Sequence, residues 1–290
     1  MSIFQRRSTP LALLLTLFVT ASAFTQTPAT PDAPPQTGAA QNAPLNPNLP
    51  TLFIVGDSTA RNQADLGWGD HFAHYFDTAK INIANRAKAG RSSRSYYNEG
   101  LWESVLKEMK PGDYVLIQMG HNDGGTSTPE NDTKARASIK GLGDETVQYT
   151  LPKPFTTGPL AGQTTEAIHS YGWYIRKYIT DTRAKHATPI LLTVTIRNIW
   201  ANDADGNLQI ERDMGFRDYE YKLGASESVP VVDMATIEAD RLQALGPEKT
   251  ALLFPIDHTH TSAEGAERNA ESVVIALRNM HSPLASYLKP

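Results

Sequence analysis

The sequence predicts an α/β fold, with a five-stranded parallel sheet flanked by helices. Five short apolar runs, each ended by glycine, proline or a polar residue, are typical of buried strands. Amphipathic stretches of helical period lie between several of these runs, which favours right-handed β-α-β units. The chain has 290 residues, enough for one such domain of about 250 residues and a short extension.

The predicted strands are separated by helical and loop sequence. They lie in residues 51–57, 81–85, 114–120, 188–196 and 229–233. Ligands of open parallel sheets bind at the carboxyl ends of the strands. We therefore expect functional residues directly after the first three strands and in the loop before the last helix. Residues 124–164, rich in glycine, proline and threonine, are predicted to be mostly loop and long enough to form a binding surface.

Three helices are predicted with defined starts or ends. Residues 101–109 form one of them. Residues 164–186 are predicted as a single long amphipathic helix with Thr164 or Thr165 as the N-cap. The last helix follows Ser262, which is the predicted cap.

The first residues have the three parts of a secretory signal peptide. Arg6 and Arg7 precede the apolar run 11–19, and Ala-Ser-Ala at 21–23 matches a cleavage site. A membrane anchor needs roughly 18 or more apolar residues, and this run is shorter. We expect residues 1–23 to be removed and the protein to be secreted or periplasmic, with no membrane association afterwards.

A linker and one catalytic domain are expected after the signal peptide. Residues 24–50 contain seven of the 19 prolines and lack hydrophobic periodicity, which predicts a flexible linker. Residues 51–290 form the predicted domain.

Composition excludes several classes of protein. The net charge is −4 and there is no cluster of lysine and arginine, so we expect no nucleic-acid partner. The chain has no cysteine. Disulfides, zinc-thiolate sites and a cysteine nucleophile are thereby excluded.

Polar residues follow the first three predicted strands. Ser58, after the first strand, is a candidate nucleophile, although Gly-Asp-Ser is also good helix-capping sequence. Asn122, after the third strand, offers an amide to an oxyanion, or else is a turn residue. Gly90, after the second strand, allows a backbone N–H to approach a substrate closely, or only makes a turn.

The stretch PIDHTHTS at residues 255–262 places an aspartate beside two histidines. Asp257, His258 and His260 are residue types that hold a divalent metal ion. Asp257 and His260 equally fit an aspartate that orients a general base. Taken alone, the stretch leaves both interpretations open.

Together, these blocks resemble the SGNH (GDSL) hydrolase superfamily. Gly-Asp-Ser, Gly, Gly-x-Asn-Asp and Asp-x-x-His occur in that order across about residues 51–280. The stretches FPIDHTHTSAEGAE, GLGDET, GWYIRKYI and GRSSRSY are similar to the rhamnogalacturonan acetylesterases, which deacetylate pectin. The resemblance implies a three-layer, flavodoxin-like fold.

The resemblance also implies roles for five residues. Ser58 would be the nucleophile, His260 the general base and Asp257 the residue that orients His260. The oxyanion hole would consist of the Ser58 and Gly90 N–H groups and the Asn122 side chain. No cofactor and no metal would be needed.

Substrate contacts are harder to predict. A pectin backbone carries carboxylates, so Arg91, Arg197 and Trp200 are candidates because they lie in loops expected to border the site. For His258 we favour a structural or substrate-side role over metal binding. The alternative for the arginines is simple solvation.

The predicted function is that of a serine esterase acting on an acetylated polysaccharide or oligosaccharide, with rhamnogalacturonan as the first choice. An acetyl esterase for xylan, small acetylated sugars or short-chain esters is the nearest alternative. A non-catalytic carbohydrate-binding domain with the same fold is the alternative from another class. The oligomeric state cannot be predicted from this sequence.

Overall fold

A central parallel sheet organises the domain. The structure is a computed structural model that describes residues 44–124, 135–151, 153–213 and 215–290. Within these ranges, five strands pair in parallel in the order β2-β1-β3-β6-β9. Their bounds are β1 Thr51–Val55, β2 Asn82–Asn85, β3 Tyr114–Ile117, β6 Thr188–Leu192 and β9 Val231–Val232. The predicted α/β fold with five parallel strands is confirmed.

The register of the sheet brings three strand ends together. β1 lies between β2 and β3, with Ile54 opposite Asn85 and Val55 opposite Ile117. The strands run parallel, so the loops that follow β1, β2 and β3 leave the sheet at one edge. These are the loops that carry the predicted site.

Helices connect the strands and cover the sheet. Their bounds are α1 Trp68–His71, α2 Ser93–Asn98, α3 Leu101–Glu108, α4 Tyr171–Ala184, α5 Arg217–Glu227, α6 Met234–Leu245, α7 Pro247–Leu253 and α8 Ala263–Asn279. Short 3-10 helices follow α1 and α8 at Phe72–Tyr75 and Pro283–Tyr287. Ser262 caps α8 as predicted, since its side chain accepts a hydrogen bond from the Gly265 N–H at 3.2 Å.

The alternating side chains of β1 explain why helices cover both faces of the sheet, which gives three layers. All five residues of β1 are buried. Leu52 and Ile54 pack with residues of α1 and α8 on one face. Phe53 and Val55 pack with residues of α3 and α4 on the other face. Successive side chains of a strand point to opposite faces, so an entirely apolar strand requires cover on both.

The predicted helix over residues 164–186 is wrong in its first part. Residues Thr165–His169 form a strand, β5, instead. Thr164 or Thr165 is therefore not the N-cap. Ser170 is the cap of α4, and its side chain accepts a backbone N–H from the first turn at 3.0 Å.

Strand β5 forms because tertiary contacts override the local helical pattern. It pairs antiparallel with β4, Thr146–Thr150, within the stretch predicted to be mostly loop. Its buried residues, Glu166 and Ile168, alternate with more exposed neighbours, which is the period of a half-buried strand. A buried glutamate needs a partner, and Arg94 supplies it at 2.7 Å. A second antiparallel pair, β7 Trp200–Asn202 and β8 Leu208–Ile210, was also not predicted.

The predicted signal peptide, residues 1–23, lies outside the described residues, as does most of the predicted linker. The last part of the predicted linker, residues 44–50, is described and contacts the domain. The Asn46 N–H donates to the Asn82 side chain at 3.0 Å, and Leu45 packs against the cluster on the α3 side. Over the ranges that the structure covers, every helix is too short or too polar to cross a bilayer.

Candidate active site

Ser58 lies in a rigid turn directly after β1. The buried Asp57 side chain accepts the Thr59 N–H at 2.8 Å and the Thr59 hydroxyl at 2.9 Å, which fixes the turn. The next helix, α1, begins only at Trp68 and has Gly67 as its N-cap. Ser58 is therefore not the N-cap of a helix, and the turn holds it at the end of β1.

Ser58, His260 and Asp257 form a continuous hydrogen-bonded relay. The distance between Ser58 Oγ and His260 Nε2 is 2.9 Å, and that between His260 Nδ1 and Asp257 Oδ2 is 2.7 Å. A carboxylate only accepts, so the Nδ1–H of His260 donates to Asp257. Nε2 is then free to take the Ser58 proton, which is the geometry that general-base catalysis needs.

Asp257 is held as a carboxylate by the loop that carries His260. Its other oxygen, Oδ1, accepts the N–H groups of Thr259 at 2.7 Å and His260 at 2.8 Å. Partial burial would raise the pKa of Asp257, but the hydrogen bonds from the His260 ring and from these two N–H groups lower it to about 2. Asp257 is thus ionised throughout the physiological pH range and can stabilise a protonated His260.

The relay opens onto a solvent-filled cleft of about 410 Å³. This volume is within the usual range of ligand sites. The cleft is lined by Ser58, Asn62, Ala89, Gly90, Asn122, Arg136, Ile256 and His260. Four residues of the predicted site therefore face one space, although they come from four separate loops.

Gly90 and Asn122 lie where amide donors for an oxyanion are expected. Gly90 has a φ of +76°, a left-handed conformation that suits glycine. The Asn122 side-chain Nδ2 donates to the Arg91 carbonyl at 3.1 Å, and its Oδ1 accepts from Arg136 at 2.9 Å. Both residues are thus placed on the cleft with a fixed backbone or side-chain orientation.

The Gly-x-Asn-Asp segment around Asn122 is anchored by its flanking residues. Gly120 has a φ of +150°, and a Cβ there would lie 2.9 Å from side-chain atoms of Phe216 and Val194, so only glycine fits. Asp123 is buried and accepts hydrogen bonds from the Ser93 backbone and side chain. Burial raises the pKa of Asp123 to about 6, even though these bonds oppose the shift.

The four predicted substrate contacts are not brought together. Of the described residues that line the cleft, none is Arg91, Arg197, Trp200 or His258. Arg91 pairs with Glu99 at 2.9 Å. These residues remain predictions as substrate contacts.

The other three candidates also have local partners. Arg197 donates to the His121 carbonyl at 3.3 Å, and the Trp200 indole donates to Asn198 at 2.8 Å. His258 is exposed, and its carbonyl accepts the Asn198 N–H at 2.8 Å.

Sequence reasoning missed Arg136 and Ile256 as residues of the cleft. Arg136 lies in the stretch predicted as a loop and possible binding surface, which was the only signal available. Ile256 is 69% exposed and lies in the PIDHTHTS segment, directly before Asp257. An exposed isoleucine beside a predicted catalytic aspartate was the signal that could have identified it.

Three other histidines have structural partners. His121 is half-buried, its Nε2 lies 2.8 Å from the Thr195 hydroxyl, and desolvation lowers its pKa to about 4. His71 is buried and contacts Glu267 at 2.8 Å, while the more exposed His74 contacts the same carboxylate at 3.2 Å. In the part of the chain that the structure covers, no three histidine or carboxylate side chains are grouped as metal ligands.

A serine at the end of a strand, joined in one relay to a histidine and an aspartate from the loop before the last α-helix, has the arrangement of a serine hydrolase. The chain belongs to the GDSL-like Lipase/Acylhydrolase family, whose model matches residues 54–268. The resemblance noted in the sequence is thereby confirmed, and the protein is a GDSL-family acylhydrolase.

Two relatives are named as esterases of one kind. The chain is 30% identical over 227 residues to a rhamnogalacturonan acetylesterase of Emericella nidulans, covering 78% of this chain and 84% of that one. It is 27% identical over 257 residues to the rhamnogalacturonan acetylesterase RhgT of Bacillus subtilis, covering 82% and 93%.

A solved structure has the same fold. The crystal structure of the Bacillus subtilis protein YXIM superposes with a TM-score of 0.61 at 24% identity. The superposition covers 81% of this chain and 58% of that one.

Proposed function

We propose that this protein is a serine esterase that removes acetyl groups from rhamnogalacturonan, by way of an acetyl-Ser58 intermediate. The observation that carries the proposal is the Ser58–His260–Asp257 relay, with distances of 2.9 and 2.7 Å, at the wall of an open cleft. The names of the two acetylesterase relatives support the choice of substrate.

The proposed reaction has two halves. In the first, Ser58 Oγ attacks the acetyl carbonyl carbon while His260 Nε2 accepts the hydroxyl proton. The oxyanion that forms accepts hydrogen bonds from the Ser58 and Gly90 N–H groups and from Asn122 Nδ2. When the intermediate collapses, the bond to the sugar oxygen breaks and His260 returns its proton to that oxygen. The sugar leaves with a free hydroxyl.

In the second half, water replaces the sugar. His260 takes a proton from the water, whose oxygen attacks the acetyl-Ser58 carbonyl carbon. Collapse breaks the ester bond to Ser58, and His260 protonates Oγ as acetate leaves. Asp257 stays ionised throughout and stabilises His260 whenever it carries two protons.

The side chains that line the cleft support a carbohydrate ester as substrate. Ile256 contributes an exposed apolar side chain to the lining and Asn62 a polar one, a combination that suits a sugar ring better than a long acyl chain. The Arg136 side chain adds a positive charge to the wall, which favours an acidic polymer over a neutral one.

Acetate release tests the substrate. Acetylated rhamnogalacturonan, acetylated homogalacturonan, acetylated xylan and p-nitrophenyl acetate are incubated with the protein and with the Ser58→Ala variant. We expect the first polymer to give the highest kcat/KM and the variant to release no acetate from any of them. Highest activity on xylan would contradict the rhamnogalacturonan assignment, and equal activity of the variant would contradict the esterase mechanism.

We also propose that the protein is exported by its N-terminal segment. The support is the charged, apolar and small-residue pattern of residues 1–23. N-terminal sequencing of the protein recovered from outside the cytoplasm should begin near Phe24. A protein that keeps Met1 and stays in the cytoplasm would contradict this proposal.

A further inference from the structure

A single guanidinium nitrogen of Arg136 contacts both Gly90 and Asn122, the two residues of the predicted oxyanion hole other than Ser58. Arg136 Nη1 donates to Asn122 Oδ1 at 2.9 Å. The same atom lies 3.4 Å from the Gly90 carbonyl oxygen, a longer and weaker contact. Arg136 thus bridges the loop after β2 and the loop after β3, and its side chain lines the cleft.

The contact to Asn122 determines which end of the amide faces which neighbour. A carboxamide has nearly the same shape in its two flipped orientations, so its hydrogen-bond partners select between them. An arginine is always a donor and carries its charge at every relevant pH. The flipped amide would turn its NH₂ group toward this cation, so Arg136 selects the orientation with Oδ1 toward itself.

The opposite end of the amide is then presented as a donor. One hydrogen of Asn122 Nδ2 is used at the Arg91 carbonyl, 3.1 Å away. The other acceptor near Nδ2 is Asp57 Oδ2 at 3.5 Å, too far for a strong hydrogen bond. A cation at Oδ1 also polarises the amide and strengthens its N–H donors.

Arg136 is attached to a firmly held segment. The carbonyl of its neighbour Ala137 accepts the guanidinium of buried Arg94 at 2.7 Å. The hydroxyl of Ser138 donates to buried Asp123 at 3.0 Å. A residue flanked by two buried attachments can hold its side chain in one place, as a positioning role requires.

We propose that Arg136 is the positioning residue of the oxyanion hole and acts through Asn122. This inference rests on the proposed esterase function and assigns a further residue to it. Arg136 need not touch the substrate. Its loss leaves the orientation of the Asn122 amide to the single hydrogen bond with the Arg91 carbonyl, so fewer enzyme molecules present Nδ2 when the oxyanion forms.

The test is a double-mutant cycle on a neutral ester. kcat and KM for p-nitrophenyl acetate are measured for the wild type, Arg136→Ala, Asn122→Ala and the double variant. Removal of an oxyanion donor costs about 10²–10³ in kcat, and we expect Arg136→Ala to cost about 10-fold or more with KM nearly unchanged. The double variant should match Asn122→Ala alone, because Arg136 has no effect once the amide is gone.

Two further variants keep the test interpretable. Arg136→Lys retains a cationic donor and should recover part of the kcat lost in Arg136→Ala. Arg212→Ala is the matched control, since Arg212 is an exposed arginine paired with Asp240, and it should keep wild-type kcat. If Arg136→Ala does not fold, the Lys variant and its combination with Asn122→Ala carry the same cycle.

Three outcomes would overturn the inference while leaving the esterase function intact. The first is an unchanged kcat in Arg136→Ala. The second is a double variant whose loss is the product of the single losses, which indicates an independent structural role. The third is a loss seen only with an acidic polymer, which indicates direct carboxylate binding. A wild type without activity, or an active Ser58→Ala variant, would contradict the proposed function instead.

Discussion

Two regions of the molecule differ in the contacts that determine their structure. One is the edge of the sheet that carries the relay, and the other is the β4–β5 pair. At the edge, each functional residue follows a strand or precedes a helix, so the order of elements along the chain indicates where it lies. Asp257 and His260 are three residues apart and contact each other directly. In the β4–β5 region, the organising contact joins Arg94 to Glu166, which are 72 residues apart.

This difference explains which parts of the site and fold could be predicted. Ser58, Gly90 and Asn122 line one cleft because strand ends of a parallel sheet meet at one edge, a relation that can be read from the order of the strands. The predicted start of α4 was wrong because the sequence of residues 165–169 has a helical pattern. The contact that organises them as a strand, between Arg94 and Glu166, joins residues far apart in the chain.

Arg136 could not be assigned for a related reason. Its role depends on a contact with Asn122 across a loop of irregular sequence, and no periodicity or motif marks it. Arg94 shows the converse, since it lies close in sequence to Gly90 but is fully buried in its ion pair with Glu166. Proximity in sequence to a residue of the site therefore does not place an arginine in the cleft.

The largest expected effect concerns the two histidines of PIDHTHTS. His260→Ala should lower kcat for p-nitrophenyl acetate by about 10⁴-fold or more, because the general base is lost. His258→Ala, the matched control, should keep most of the activity, since His258 is exposed and contacts Asn198 through its backbone carbonyl.

A metal site predicts a different pattern for the same pair. Both histidine variants would then lose activity, a chelator would inactivate the wild type, and added zinc or manganese would restore it. Retained activity after dialysis against EDTA is the outcome that our account predicts.

The buried ion pair should give the next largest effect, on stability. Glu166 accepts the Arg94 guanidinium through both oxygens, at 2.8 and 2.7 Å, and the Asn98 side chain at 2.6 Å. Glu166→Ala leaves the buried Arg94 charge unpaired, so the free energy of unfolding should fall by about 3–5 kcal/mol. Urea unfolding followed by circular dichroism measures it.

An exposed ion pair is the control for this experiment. Asp240→Ala removes the partner of Arg212 and should change the free energy of unfolding by less than about 1 kcal/mol. Equal effects of the two variants would mean that the β4–β5 region is not held by the Arg94–Glu166 pair.

The smallest effect is a pH dependence of stability centred on His71. Its Nε2 lies 2.6 Å from the Asp65 carbonyl and its Nδ1 2.8 Å from Glu267, and two acceptors at the two ring nitrogens favour the charged form of the ring. Burial alone would lower the pKa of His71, but the hydrogen bonds to Glu267 and Asp65 and the charge of Glu267 raise it above 6.5. The stabilisation is therefore fully present below about pH 6.5 and is lost as the pH rises through the higher folded pKa.

Unfolding free energies at pH 6 and pH 8.5 test this assignment. The wild type should be less stable at pH 8.5 than at pH 6, because the folded state binds the His71 proton more tightly than the unfolded state does. His71→Gln should lose less over the same interval. A variant with the same pH slope as the wild type would mean that another group titrates.

The identity of the nucleophile is tested most directly by covalent labelling. The protein is treated with a serine-directed fluorophosphonate, digested and analysed by mass spectrometry. We predict one adduct, on Ser58, formed in parallel with the loss of esterase activity and absent from His260→Ala, which lacks the base that activates the hydroxyl. An adduct on a different residue, or full inactivation without modification of Ser58, would contradict the assignment of Ser58, His260 and Asp257 as the catalytic relay.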